Sequence, residues 1–140
     1  MAFQMGVKEV VAAFIVRGGK VLLARRYRGD EQGGLWEFPG GGRDEDEDLR
    51  ECLARELSEE LGIRVRVGEE VAAVRYDYGG FPIELHLLSA EILKGEPRPL
   101  GCAKVRWLSP CELGNLELAP ADRELVKRLV ELGKLPCGGG

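Results

Sequence analysis

Apolar residues in this chain come mostly in short alternating or continuous runs separated by glycine pairs, and they switch to helical spacing in two places. Val10 to Val16 is an apolar run closed by Gly18-Gly19, and Val21 to Ala24 resumes at once, which predicts a β-hairpin. Residues 63–67, 71–78 and 83–92 read as strands, with Gly79-Gly80 as the turn between the last two. Val105 to Leu108 is a further short strand, and Ser109-Pro110 is a good helix start. The first helix is expected to begin in the acidic segment Asp44 to Asp48, because carboxylates suit the positive end of the helix dipole, and to end at Gly62 as a C-cap. The second covers residues 120–132 and stops at Gly133. Residues 27–35 are polar and glycine-rich, the composition of a loop beside a site, and with the 76–82 turn they are expected to shape its pocket. Strands interleaved with two long helices predict an α/β sandwich formed by one domain over residues 1–135, with strand order left open. The tail 136–140 has nothing to bury and is expected to be disordered.

Within the first helix, Glu56, Glu59 and Glu60 stand at i, i+3 and i+4, so the turn of about 100° per residue gathers them into one patch. Leu49, Cys52, Leu53 and Leu57 mark the apolar sector, and Glu56 and Glu60 project into it instead of away from it. Carboxylates crowded at a core boundary repel one another and lose hydration, so they stay ionised only beside a cation or bonded donors. Oxygen donors in this grouping suit a hard dication, and Mg2+ is usually held by a few carboxylates, waters and substrate phosphates. Mn2+ is the natural substitute. With one histidine, His86, and no close Cys/His spacing, a structural zinc site is not expected, and His86, in an alternating apolar strand, reads as structural.

Composition narrows the partners. The 140 residues are 44% hydrophobic, enough for one core, and the formal charge of -4 provides no basic footprint for a nucleic-acid polymer. Any nucleotide partner is therefore small and accompanied by metal. Cys52, Cys102, Cys111 and Cys137 show no paired spacing, which predicts reduced thiols and a cytoplasmic location. No run reaches the roughly 18 apolar residues of a membrane span, so no membrane partner is expected. The protein is expected to be a monomer or a homodimer.

The segment from Gly41 to Ile63 resembles the Nudix box: glycine, five residues, Glu, seven residues, then Arg-Glu-apolar-any-Glu-Glu-any-Gly-apolar. Gly41, Glu47, Arg55, Glu56, Leu57, Glu59, Glu60, Gly62 and Ile63 fill every defined position. Trp36 to Gly41, Val21 to Arg26 and Leu118 to Asp122 also resemble flanking segments of MutT-like and CTP-pyrophosphohydrolase-like members, so the resemblance runs over about residues 8–132. It implies a mixed sheet between helices, with the box as loop-helix-loop. It further implies hydrolysis of a nucleoside triphosphate to monophosphate and diphosphate, with a modified or pyrimidine base: the 8-oxo-dGTP type or the CTP/5-methyl-dCTP type, the Pro-Ala-Asp helix start leaning toward the second. ADP-ribose or dinucleoside polyphosphates are alternative substrates, and a non-catalytic nucleotide-binding module is the alternative from another class.

Site residues follow from the resemblance together with side-chain chemistry. Glu56, Glu59 and Glu60 are expected as metal ligands, joined by the backbone carbonyl of Gly40. Glu47 or an unpaired member of the cluster takes the proton of the attacking water. Arg55 either fixes the rotamer of a box glutamate or makes a surface i, i+4 ion pair. Arg26 is a phosphate contact or a solvated strand-end charge, and Glu37, in the matched segment, is assigned to substrate binding with it. Phe38 stacks on a base or packs in the core. Asp122 reads a base edge or is an N-cap or first-turn acid of the last helix. Trp36 and Trp107 read as packing residues. One departure stands out: several relatives carry a further glutamate in the loop corresponding to Arg98 to Ala103, where this chain has none. Glu91 and Glu96 are the available substitutes.

Overall fold

The structure, a computed structural model, describes residues 6–135. Two four-stranded sheets and two helices account for most of it. The first sheet has the order β5-β1-β7-β6, from β1 (Lys8–Phe14), β5 (Gly40–Gly42), β6 (Arg64–Asp77) and β7 (Pro82–Lys94). β1 runs parallel to β7 and antiparallel to β5, and β6 and β7 form a long antiparallel hairpin. In the second sheet, β3 (Lys20–Arg25) pairs with β2 (Val16–Arg17), β4 (Trp36–Glu37) and β8 (Lys104–Leu108). α1 (Leu49–Leu61) and α2 (Pro120–Glu131) cover opposite faces.

Alternation along the strands explains that layering. Ala12 on β1, Val21 and Leu23 on β3, and Leu85 and Leu87 on β7 join Leu125 and Leu129 of α2 in one core. Val11 and Ala13, Leu22 and Ala24, and Leu88 turn the other way, onto Cys52, Leu53, Leu57 and Leu61 of α1. Strands buried on both faces read as continuous apolar runs, the signature found at 10–16 and 21–24.

Three expectations need correction. The run 10–16 is not one hairpin arm: β1 pairs with β5 and β7, and only the end of the run, Ile15 to Arg17, turns through Gly18-Gly19 to bond with Lys20 to Leu22. The turn chemistry was local, whereas the partners of β1 are remote in sequence. Residues 63–67 and 71–78 belong to a single strand, β6, which lies at the sheet edge and passes its polar middle through register shifts between Val67 and Ala72. The first helix begins at Leu49, later than the acidic run suggested. Asp48 is its N-cap, accepting from the Glu51 N–H at 2.8 Å while Glu51 accepts from the Asp48 N–H at 3.0 Å. This reciprocal capping box satisfies two helix-end donors, which fixes the boundary more firmly than the dipole does.

Gly62 closes α1 in the left-handed region, at φ 68°, as expected. The segment that lacks the anticipated glutamate then seals the same end. Leu100 and Gly101 N–H groups donate to the Glu60 carbonyl at 3.0 and 2.9 Å, and the Arg98 N–H donates to the Leu61 carbonyl at 2.9 Å. No helix of the described residues is long and apolar enough to cross a membrane. The tail 136–140 and Cys137 lie outside the described residues.

Cys52 and Cys102 are buried and form no disulfide. Burial first, then the Glu47 carboxylate, pushes the Cys52 thiol up to about 12, and burial and Glu60 push Cys102 up to about 11. Since the thiolate is the reactive form, neither is expected to be alkylated by iodoacetamide at pH 8 in the native protein, and both become labelled in urea. Peptide mass spectrometry of the two states checks this.

Candidate active site

A cavity of about 600 Å3 opens where α1, β5, the β6–β7 hairpin and the start of α2 meet. Glu56, Glu60, Gly40 and Gly41 line one part of it; Arg26, Glu37, Phe38 and Asp122 line another, with Tyr78 and Phe81 from the hairpin. Glu47, Glu59 and Arg55 are not on its wall.

Arg55 gathers the residues behind that wall. Its Nε and Nη2 donate to both oxygens of Glu47, at 2.9 and 2.6 Å, and its Nη1 reaches Glu56 and Glu59, each at 3.1 Å. A planar fork suits this bidentate contact, and the Glu47 carboxyl is held down to about 2 by that hydrogen bond. Glu47 thus ties the loop before α1 to the helix with both oxygens committed. Arg43 anchors the same loop, donating to the Glu47 carbonyl at 3.1 Å and to Glu9 at 2.8 Å.

Glu60 sits differently. Burial, a hydrogen bond with Glu56 and the charges of Glu56 and Glu37 push its carboxyl up to about 8. Glu60 is therefore the member of this crowded pair that keeps a proton near neutrality. The Glu59 side chain is 60% exposed and turned to Arg55, and among the described residues the three glutamates do not converge within ligand distance of a single ion.

At the far end, Asp122 is buried in the first turn of α2, and its Oδ1 accepts from the Phe38 N–H at 2.9 Å. The N-cap of α2 is Ala119, and Asp122 is the acid of its first turn. Burial, then the Glu37 charge, raises its carboxyl well above the usual range. Arg26 holds Glu37 at 3.1 Å and the Glu31 carbonyl at 2.7 Å. The Phe38 ring is 2% exposed and packs edge-on against Phe14 at 6.4 Å, which makes it part of the core under the cavity.

A NUDIX domain model matches residues 10–128 of the chain. The chain is 44% identical over 124 residues to a CTP pyrophosphohydrolase of Escherichia coli strain K12, covering 89% of this chain and 92% of that protein. It is 30% identical to an 8-oxo-dGTP diphosphatase of Haemophilus influenzae over 122 residues, 86% of this chain and 90% of that one. Among solved structures, the Escherichia coli ORF135 protein matches with a TM-score of 0.76 and 41% identity, covering 92% of both chains. The chain belongs to the Nudix family.

In this Nudix hydrolase the box carboxylates fit a divalent cation by the chemistry of the donor set: hard oxygens, two of them in a half-buried pair that is short of positive charge. Gly41 leaves the space they occupy. A Cβ there would lie 2.6 and 2.7 Å from the two Glu56 carboxylate oxygens. Gly41→Ala is expected to swing Glu56 aside and lower kcat/KM about 10²-fold, the scale of a 1 Å misplacement, with the melting temperature little changed because only a side-chain end must move. Gly40 differs: its added Cβ meets the backbone of Val11 and Ala12. Gly40→Ala should therefore cost about 1–3 kcal/mol of stability. Paired kinetics and thermal melts check both.

The substitutes considered for the missing glutamate do not reach the site. Glu96 pairs with Arg17 at 3.0 Å and Glu91 with Arg66 at 3.0 Å, both at the surface. The sequence reading did not single out Tyr78, whose hydroxyl accepts from the Ala121 N–H at 3.0 Å, or Phe81, 53% exposed at the cavity. The 76–82 turn was expected to shape the pocket, but the aromatics flanking Gly79-Gly80 gave no sign that its tip folds over α2.

Proposed function

We propose that this Nudix hydrolase is a Mg2+-dependent nucleoside triphosphate pyrophosphohydrolase of the cytoplasmic nucleotide pool that prefers a cytosine base, releasing the nucleoside monophosphate and diphosphate. The observation that carries the preference is the Asp122 carboxyl, buried beside the cavity and raised well above its ordinary range by burial and the Glu37 charge, which favours its neutral form. A neutral carboxyl presents one O–H donor and one acceptor. Cytosine offers the matching acceptor, N3, and donor, the N4 amino group. A guanine edge, with two neighbouring donors, calls for an ionised carboxylate. Exposed Phe81 supplies an apolar aromatic face for the base, in place of the enclosed Phe38.

Glu56 and Glu60, with the Gly40 carbonyl, would hold the cation, and Glu59 would join on leaving Arg55. When bound, Mg2+ neutralises phosphate oxygens and lowers the pKa of the attacking water. The proton of that water passes to whichever box carboxylate the cation leaves free. Glu47 and Arg55 position the pair, and Arg26 faces the phosphates. A diphosphate-release screen with Mg2+ over normal, methylated and oxidised triphosphates, ADP-ribose and diadenosine polyphosphates tests the reading, with products identified. Preferred turnover of cytidine or deoxycytidine triphosphates is expected. Preference for 8-oxo-dGTP would keep the reaction and discard the base assignment, and silence on all triphosphates would discard the reaction.

A further inference from the structure

Away from the cavity, the strand row that faces α1 changes character along β7. Leu88, Ala90 and Ile92 pack under the helix, but His86 and Glu84, on the same face, do not. Parallel pairing sets Glu9 opposite Glu84 and Val11 opposite His86, so Glu9 lies beside both. His86 Nδ1 lies 2.6 Å from Glu70 Oε1, and His86 Nε2 lies 3.3 Å from Glu84 Oε1 and 3.5 Å from Glu9 Oε2. Arg43 engages the other oxygen of Glu9, leaving Oε2 to the histidine.

With Glu70 accepting the Nδ1 hydrogen, a neutral imidazole carries its lone pair on Nε2. That atom is buried and has no hydrogen-bond partner. It faces two carboxylate oxygens, and the three ligand atoms lie within 4.8 Å of one another. A bare lone pair against two anionic oxygens is repulsive unless something positive sits between them. The spacing fits a metal: tetrahedral bonds of about 2.0–2.1 Å give ligand separations of about 3.3–3.4 Å. A carboxylate on the far ring nitrogen is the usual support for a metal-bound histidine.

We propose that Glu9, Glu84 and His86 form a second divalent-cation site, apart from the box glutamates, that takes a first-row transition dication such as Zn2+, with Glu70 orienting the histidine. One nitrogen with carboxylate oxygens suits such an ion better than Mg2+. Sequence spacing pointed away from zinc because the ligands come from two strands joined only by their pairing. Solvent reaches the site past Glu84 and Glu9, whose side chains are partly exposed.

The test titrates Zn2+ into metal-free, untagged protein with millimolar Mg2+ present to occupy the box, counting bound zinc by equilibrium dialysis and elemental analysis. One zinc per chain is expected in the unmodified protein and in Glu60→Gln, with binding at least about tenfold weaker in His86→Gln and in Glu84→Gln. Because the chain has one histidine, ¹⁵N NMR of the unmodified protein reads His86 without any variant, and Nδ1 protonated with Nε2 metal-bound is expected. Two protonated ring nitrogens at saturating Zn2+ would overturn the proposal, showing an imidazolium in place of a ligand. So would zinc binding that survives both ligand variants, or that vanishes with Glu60→Gln.

Discussion

Replacing Glu60 by Gln is expected to lower kcat/KM about 10²–10³-fold in Mg2+ while making the metal-free protein more stable at alkaline pH. The first effect follows from removing a charged oxygen donor whose interactions with phosphate-bound cation are worth several kcal/mol, each 1.36 kcal/mol counting tenfold. The second follows from the proton that Glu60 keeps. The Glu60 carboxyl is raised from its ordinary 4.5 to about 8 by burial and by Glu56. Between those values the folded state keeps a proton that the unfolded chain releases, so stability is greatest below about pH 4.5 and is lost as pH rises through about 8. Gln keeps a hydrogen-bonding side chain beside Glu56 and cannot ionise, so the variant lacks that decline. Melting temperatures from pH 5 to 9, with and without Mg2+, check the stability limb. In the unmodified protein Mg2+ should flatten the decline and should release protons when it binds below pH 8. A Glu60→Gln variant that hydrolyses at the unmodified rate would remove Glu60 from the site.

Asp122 gives the second large effect, and two variants divide it. Asp122→Ala leaves the Phe38 N–H unpaired in the interior, at about 1–3 kcal/mol of stability, and leaves a bound base edge without partners. The expected loss in kcat/KM for cytidine triphosphate is about 10²-fold or more. Asp122→Asn offers a donor and an acceptor, as the neutral acid does, and its carbonyl still accepts from Phe38, so it should stay within about tenfold of the unmodified enzyme. The two also differ in pH dependence. Unmodified enzyme loses turnover of cytosine nucleotides as pH rises through the elevated range of Asp122, whereas the Asn variant has no such limb. If Asn is as poor as Ala, the carboxyl acts as an ionised acceptor and the base is not cytosine. Steady-state kinetics from pH 6 to 10 separate these outcomes.

The box helix was readable because its information is local. Its glutamates recur at helical spacing, Leu49 to Leu57 define its buried side, and Gly62 ends it. The layering of helices about mixed strands was readable from periodicity too, with the family resemblance supplying the arrangement. What was hidden is whatever depends on remote pairing. β1 looked like a hairpin arm of β3 because nothing near it in sequence announces β5 or β7. Phe38 and Asp122 stood on flanking segments of the matched pattern, but their burial and mutual hydrogen bond follow from the way α2 returns beneath β4. Tyr78 and Phe81 enter the cavity for the same reason. The loop Arg98 to Ala103 looked deficient for lack of a carboxylate, yet it holds the backbone of Glu60 in place.

That grip has an electrostatic side. The last turn of α1 carries Glu59 and Glu60 and no basic residue, although the carbonyl end of a helix bears a partial negative charge that favours cations. Two carboxylates there work against the field of their own backbone. With Gly62 and the following loop preventing the turn from fraying, the chain cannot relieve that conflict by unwinding. It can do so by holding a proton, by leaning on Arg55, or by admitting a metal. The pull on a dication is thus built partly into peptide dipoles, and part of it should survive any single glutamate substitution.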